Sequence, residues 1–459
     1  MEDTAAAPCP AQKELFGHPR GLSFLFATEM WERFSYYGMR AILMYYLTDY
    51  LLLPGHSERV AGLATLKSGF EWFSGPLETQ PFASLIYGLY TSLVYLTPIA
   101  GGLIADRVLG QRRTVAIGAV LMAIGHFLMA FEALLLPALF TLILGNGAFK
   151  PNISTQVGEL YAEGDARRDR AFSIFYLGIN LGAMFSPWIC GTLGENLGWH
   201  YGFTAAGIGM LIGLAIYLRG LRELPPDELQ KERAAHTENA PLTPADWRAI
   251  AALLVLFVPN TLFWAAYEQQ GNTIALWIKD YTDRSINLLF AQAEIPASSF
   301  QSVNPAMILI FTPFLVAWWG WLARRGREPS TVTKMAIGCF LLALSYLALA
   351  LVAAGTGEAA KANWLWLMVY FAILTVGELY LSPVGLSLVS KVAPASMLSL
   401  LMGVWLATSF LGNFMAGWLG SYWSSMDKTA FFLMIAGVAA LAGFAIALMN
   451  KPLRKILQH

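Results

Sequence analysis

Cysteine is scarce in this 459-residue chain, which has three, Cys9, Cys190 and Cys339. So few and so scattered, they build neither a disulfide framework nor a metal cluster, and two lie in apolar stretches, so free, inert thiols are expected. Charge is scarce as well. Asp, Glu, Lys and Arg together make 13% of the residues, about half the share of an ordinary soluble domain, and thirty bases balance thirty acids. No basic tract is present, which removes nucleic acid as a partner. The six histidines form no cluster, and neither H-E-x-x-H nor G-x-S-x-G occurs. An integral-membrane enzyme is therefore a remote reading, and no metal or cofactor is implied. In place of charge there is apolar mass: 56% of residues are hydrophobic. The chain reads as a polytopic membrane protein embedded in a lipid bilayer.

Apolar stretches long enough to span a bilayer fall near residues 22–47, 82–105, 114–132, 137–157, 170–194 and 200–219. A second set falls near 248–276, 303–323, 332–354, 364–391, 397–421 and 430–450. The first is too long and too charged for a signal-peptide core and is expected to remain as a helix. Residues 220–246 are polar and carry Pro225-Pro226, Pro241 and Pro244, which suits a linker. The predicted fold is thus all-α, with twelve transmembrane helices in two six-helix bundles, 21–219 and 247–450. Residues 1–20 and 451–459 read as tails, the first with at most an amphipathic lead-in around Lys13 to Phe16. With both termini placed in the cytoplasm, twenty Lys and Arg fall in cytoplasmic loops and six in outer ones, which fixes the orientation by the positive-inside rule. An inner-membrane location is expected.

A weak repeat supports two halves. Gly102-Leu-Ile-Ala-Asp-Arg107 after helix two matches Gly320-Trp-Leu-Ala-Arg-Arg325 after helix eight, and the Gly145…Pro151 spacing of helix four recurs as Gly377…Pro383 in helix ten. Parallel repeats of this kind place a binding site between the halves at the membrane midplane.

The first apolar stretch carries Glu29-Met-Trp-Glu32-Arg33-Phe-Ser-Tyr36-Tyr37-Gly38-Met-Arg40. At about 100° per residue, Glu29, Arg33, Tyr36 and Arg40 fall within roughly 60° of one another, flanked by Glu32 and Tyr37. The stripe rises about 16 Å, too far for side chains to snorkel to one interface. It faces a wet or polar interior, and ionisable groups there mark a substrate or proton pathway or, more plainly, a helix-packing ion pair between Glu29 and Arg33.

Further along, Gly101-Gly-Leu-Ile-Ala-Asp106-Arg107-Val-Leu-Gly110-Gln-Arg112-Arg113 resembles the signature loop of the major facilitator superfamily. A sharper resemblance, covering nearly the whole chain, is to the proton-dependent oligopeptide transporter family. Glu29, Glu32 and Arg33 with the following tyrosines match its E-x-x-E-R motif. Gly145-Asn-Gly-Ala-Phe-Lys150-Pro151 resembles its Lys-Pro pair. Phe172-Ser-Ile-Phe175-Tyr176-Leu-Gly-Ile179-Asn180-Leu-Gly182 is close to F-Y-x-x-I-N-x-G. Helix seven has Phe263-Trp264-Ala-Ala-Tyr267-Glu268-Gln269, and helix ten an isolated Glu378. Tyr90, Asn304, Trp405 and Ser409 are looser matches. The linker is too short for the extra helix pair that many bacterial members insert, and no histidine lies in helix two, where some members use one. Carboxylates must then carry any proton.

The resemblance implies proton-coupled symport of di- and tripeptides by a monomer, with the proton gradient as the only energy source and no cofactor. Glu29, Glu32, Arg33, Lys150, Glu268 and Glu378 are the candidates for proton coupling. Arg33, Tyr36, Tyr37, Arg40, Tyr90, Lys150, Asn180, Asn304, Glu378, Trp405 and Ser409 are the candidates for peptide binding, and Arg40 with Glu268 for a gate. Residue chemistry agrees: every peptide carries a carboxylate and an amine at opposite ends, and Arg33 with Lys150 in one half and Glu378 in the other answer both. Several alternatives stay open. Lys150 could form a static ion pair, Glu268 and Glu378 could fix the bundle, the asparagines could bond between helices and the aromatics could simply pack. The same fold with nitrate or another small anion as cargo is the rival function.

Overall fold

The computed structural model describes residues 14–162, 165, 167–227, 242–288, 291–357, 360–394 and 397–457. Most of the expected 1–20 tail, the middle of the linker and Cys9 lie outside these residues.

Among the described residues, twelve helices of eighteen residues or more carry the fold: α1 (Arg20–Tyr46), α2 (Thr79–Ile104), α3 (Gln111–Leu128), α4 (Leu135–Glu159), α5 (Arg168–Ser186), α6 (Trp199–Gly220), α7 (Pro244–Tyr267), α8 (Val303–Arg324), α9 (Thr331–Thr356), α10 (Leu365–Val392), α11 (Leu398–Gly420) and α12 (Lys428–Leu457). Among the described residues, nine helices are long and apolar enough to cross a membrane. α1, α3 and α11 stand outside that set, and α1 carries Glu29, Glu32, Arg33 and Arg40 within its length. Prolines sit inside α2, α4, α7, α8 and α10. Neighbouring helices and local adjustments satisfy the backbone groups such prolines free. Where the polar linker ends, Thr243 and Asp246 form a reciprocal capping box with Pro244 at the first helical position, which starts α7 cleanly.

The helices pack as two bundles. In the first, α1 lies against α5 and α6, α4 against α2 and α3, and α3 against α6. In the second, α9 lies against α10 and α12, α7 against α11 and α12, and α8 against α10. The bundles meet along α2 with α11 and α5 with α8. At the first seam the approach is backbone to backbone: a Cβ on Gly88 would stand 2.5 Å from the Gly417 Cα. Only residues without side chains allow that contact.

Four local expectations need correcting. The stretch 248–276 is not one helix: α7 stops at Tyr267, Glu268–Gly271 is a 3-10 turn, and Thr273–Tyr281 is a separate short helix. Gly271 and Asn272 cause the break, Asn272 with φ −109° and ψ −94°, well outside helical space. The loop after α1 contains a twelve-residue helix, Leu63–Ser74, too short to register as a span. Glu14–Leu15 pairs antiparallel with His18–Pro19 around Phe16 and Gly17, both at positive φ, so the lead-in to α1 is extended rather than helical. The final helix runs to Leu457, past the expected start of a tail at 451.

Candidate functional site

The buried charges of α1 are paired. Arg33 Nε lies 3.1 Å from Glu29 Oε1 and also donates to Glu32. Asn146 on α4 donates to the other Glu32 oxygen at 3.3 Å. The guanidinium lies over the Tyr36 ring at 5.4 Å. Two carboxylates therefore share one guanidinium, so ionising both would leave the cluster an uncompensated negative charge at low dielectric. Among the described residues, Glu29 Oε2 and Arg33 Nη2 have no hydrogen-bond partner. Both residues border a cavity, although these two atoms are themselves buried.

That cavity, about 400 Å³, lies between the bundles. α1 contributes Glu29, Arg33, Tyr37, Arg40 and Ala41. α4 contributes Lys150 and α5 contributes Asn180. From the second bundle come Glu268, Asn304, Glu378, Trp405 and Ser409. Eleven of the fourteen residues expected from sequence thus converge on one space. Glu32, Tyr36 and Tyr90 do not line it. The lining residues of α1 centre about 50° round the helix from Glu29 on the Tyr37 side, which leaves Tyr36 and Glu32 on the flank. Tyr36 and Tyr90 are buried, at 3% and 2% exposure.

Lys150 has no carboxylate within ion-pair distance among the described residues; its ammonium lies 4.6 Å from the centre of the Tyr95 ring. The static-pair alternative for Lys150 has no partner here. In the second bundle, Glu378 accepts a hydrogen bond of 3.0 Å from Asn304 Nδ2. That amide also lies 3.0 Å from Thr375 Oγ1, and Tyr267 donates to Asn304 Oδ1 at 3.3 Å. The network spans α7, α8 and α10 and fixes the carboxylate's orientation. Asn180 donates to its own helix, at Tyr176 O, 2.9 Å away. Gly385 lies directly against the Trp405 ring, where a Cβ would collide with it.

At the end of the cavity where α1 finishes, the two bundles are tied together. Arg40 forms an ion pair with Glu268, and its Nε donates to the Tyr87 hydroxyl at 2.7 Å. Beyond that pair, Tyr45 donates to Ala275 O at 3.0 Å, Lys279 meets Asp49 at 2.5 Å, and Ser84 donates to Asn272 at 2.8 Å. Glu195 accepts from the backbone N–H groups of Ala297 and Ser298 at 2.9 and 2.8 Å. Toward the other end a hollow of about 590 Å³ opens between α5 and α8, sharing Ser154, Tyr176, Ile179 and Ile308 with the cavity. The site is closed on one side and continuous with a groove on the other.

Tyr95, Gln270 and Gln301 line the cavity without having been expected there, as do Trp264 and Tyr267, which the helix-seven motif contains but which were not among the expected site residues. Tyr267 had a usable signal, being adjacent to Glu268 in a helix-breaking stretch. Gln301 lies in a 3-10 turn before α8 and had none.

Comparison with known proteins sets this geometry in context. The family model described as POT family matches residues 112–232 and 229–435. A di-/tripeptide transporter of Lactococcus lactis subsp. lactis is 33% identical, over 97% of this chain and 98% of its own. The peptide transporter YePEPT of Yersinia enterocolitica is 32% identical over 98% of this chain and 97% of its own. A crystal structure of a peptide transporter POT mutant in complex with alafosfalin superimposes with a TM-score of 0.83 at 30% identity, covering 98% of both chains.

Proposed function

The chain belongs to the POT family, and on that premise we propose that it is a proton-coupled symporter of di- and tripeptides working by alternating access. One observation carries the reading: a single cavity of about 400 Å³ presents Arg33 and Lys150 from the first bundle opposite Glu378 from the second. A zwitterion bridges those walls whatever its side chains are, because its carboxylate and amine occur in every peptide. Orientation then comes from the backbone ends, while Tyr37, Trp405 and the remaining lining admit varied side chains at modest affinity.

Coupling follows from charge. A proton reaching Glu268 cancels the carboxylate that holds Arg40, which loosens the closed end. A proton on the Glu29–Glu32–Arg33 cluster removes its uncompensated charge. Lys150, whose ammonium rests on a ring rather than a carboxylate, is available to peptide or to the cluster in turn. The bundles that rock are taken as 21–219 and 247–450 with 220–246 between them. Both termini belong in the cytoplasm by the distribution of Lys and Arg, the membrane is the cell's inner membrane, and a monomer suffices because the site lies within one chain.

A small-anion cargo is less well supported, since the carboxylates of Glu29, Glu268 and Glu378 line the same cavity. Uptake of labelled dialanine into proteoliposomes under an imposed inward proton gradient tests the reading. Accumulation above equilibrium that collapses with a protonophore is expected, and accumulation of nitrate instead of dialanine overturns it.

A further inference from the structure

The second copy of the internal repeat ends differently from the first. Aligning Gly102-Leu-Ile-Ala-Asp-Arg107 with Gly320-Trp-Leu-Ala-Arg-Arg325 puts Arg324 where the first copy has Asp106, and Trp321 where it has Leu103. In the first copy the basic loop is engaged by the chain itself: the Arg112 N–H donates to Asp227 at 2.9 Å and its guanidinium to the Leu224 carbonyl. In the second, Arg324, Arg325 and Arg327 are all exposed. Among the described residues none of the three has a carboxylate within ion-pair distance, and the adjacent acid, Glu328, is taken by Lys334 at 2.5 Å. Three guanidinium groups thus gather without a counter-charge.

Their position says what supplies it. α8 is the span least covered by protein: 6% of its apolar window is buried, against 44–61% in the other eight. One turn before the arginines, the Trp318 and Trp321 rings stack with centroids 4.9 Å apart, and the Arg325 guanidinium lies 3.8 Å over Trp321. Indoles at the end of a lipid-exposed span mark the boundary between hydrocarbon and headgroups. Stacking on Trp321 holds the Arg325 plane at that depth while leaving its N–H edge free for two oxygens of a phosphate. We propose that Trp321, Arg324, Arg325 and Arg327 form a binding site for the headgroup phosphate of an anionic phospholipid, in the leaflet on the side of the chain termini. The acyl chains lie along the exposed face of α8 below the tryptophans. Because α8 also lines the cavity through Asn304 and Ile308, the lipid bears on a helix that must move against α5.

Native mass spectrometry of the full chain in detergent tests this, with dioleoyl phosphatidylglycerol, dioleoyl phosphatidylcholine and inorganic phosphate as probes. Each basic residue near an anionic headgroup is worth about fivefold in affinity, so the native protein should retain phosphatidylglycerol over phosphatidylcholine by tenfold or more. The R324Q/R325Q/R327Q variant should lose most of that preference, and W321L should lower it several-fold. Equal retention of the two lipids by the native protein overturns the site, as does an undiminished preference in the triple variant. Displacement of phosphatidylglycerol by equimolar inorganic phosphate means a free anion is the ligand, and the lipid assignment fails. If the triple variant does not fold, R325Q alone, expected to lose about fivefold, decides in the same way.

Discussion

Arg40 and Glu268 form an ion pair between the two bundles, at the point where the charged stripe of α1 meets the break after α7. Glu268 is buried, at 2% exposure, and Arg40 largely so, at 11%. Removing one partner leaves the other as an uncompensated internal charge, at a cost of about 3–5 kcal/mol. Arg40→Gln and Glu268→Gln should therefore each abolish gradient-driven uptake. The double exchange Arg40→Glu with Glu268→Arg should recover a measurable fraction of it in proteoliposomes. An exchange as inactive as the singles removes the pair from the mechanism.

Lys150→Ala should abolish accumulation of dialanine driven by a pH gradient. Exchange of labelled for unlabelled peptide without a gradient should partly survive, since the proposed contact of Arg33 with the peptide carboxylate is kept. Comparing the two assays on the same vesicles separates coupling from binding, and normal accumulation would exclude Lys150 from coupling.

Glu378 is held by Asn304 in a fixed orientation facing the cavity. A charge-assisted bond to a buried amine contributes about 1.5–3 kcal/mol, or ten- to a hundredfold in affinity. N-acetylated dipeptides should compete that much more weakly than free ones against the native protein. In Glu378→Gln the difference should narrow, measured as direct binding by calorimetry because transport can fail for other reasons. An unchanged ratio places amine recognition elsewhere.

The Gly88–Gly417 approach sets a steric limit on closure. Gly88→Leu should hold that end apart and reduce uptake at least tenfold, with overpacking costing about 1–3 kcal/mol of stability. Gly437→Ala, where a Cβ meets nothing within 4 Å, should leave uptake unchanged. Parallel uptake and thermal-unfolding measurements check both. Full activity in Gly88→Leu would mean that α2 and α11 need not touch during the cycle.

Much of the site was legible because charge in an apolar helix is so rarely tolerated. Glu29, Arg33, Arg40, Lys150, Glu268 and Glu378 stand out against their surroundings, and all six line one cavity. What a stripe cannot specify is which of two adjacent rings faces inward. Tyr36 and Tyr37 differ by about 100° round the helix, and the choice depends on how α1 is rotated by its packing on α5 and α6. Tyr90 illustrates the same limit in α2, where Tyr95 reaches Lys150 instead. The helix break after Tyr267 lay hidden because hydropathy registers apolar content and not backbone direction. Leu63–Ser74 and the short strands were invisible to a reading tuned to spans of twenty residues.

The break at Glu268–Gly271 turns the segment beyond it into a lever. Thr273–Tyr281 is a nine-residue rod about 13 Å long, hinged next to the carboxylate that meets Arg40 and carrying at its far end Lys279, which clasps Asp49. A small rotation at the hinge is magnified along the rod, so charge neutralised in the middle of the membrane is felt as displacement at its rim. In the proposed cycle the proton site at Glu268 and the Lys279–Asp49 clasp would thus be mechanically one part, and lengthening the hinge by a glycine should let either work without the other.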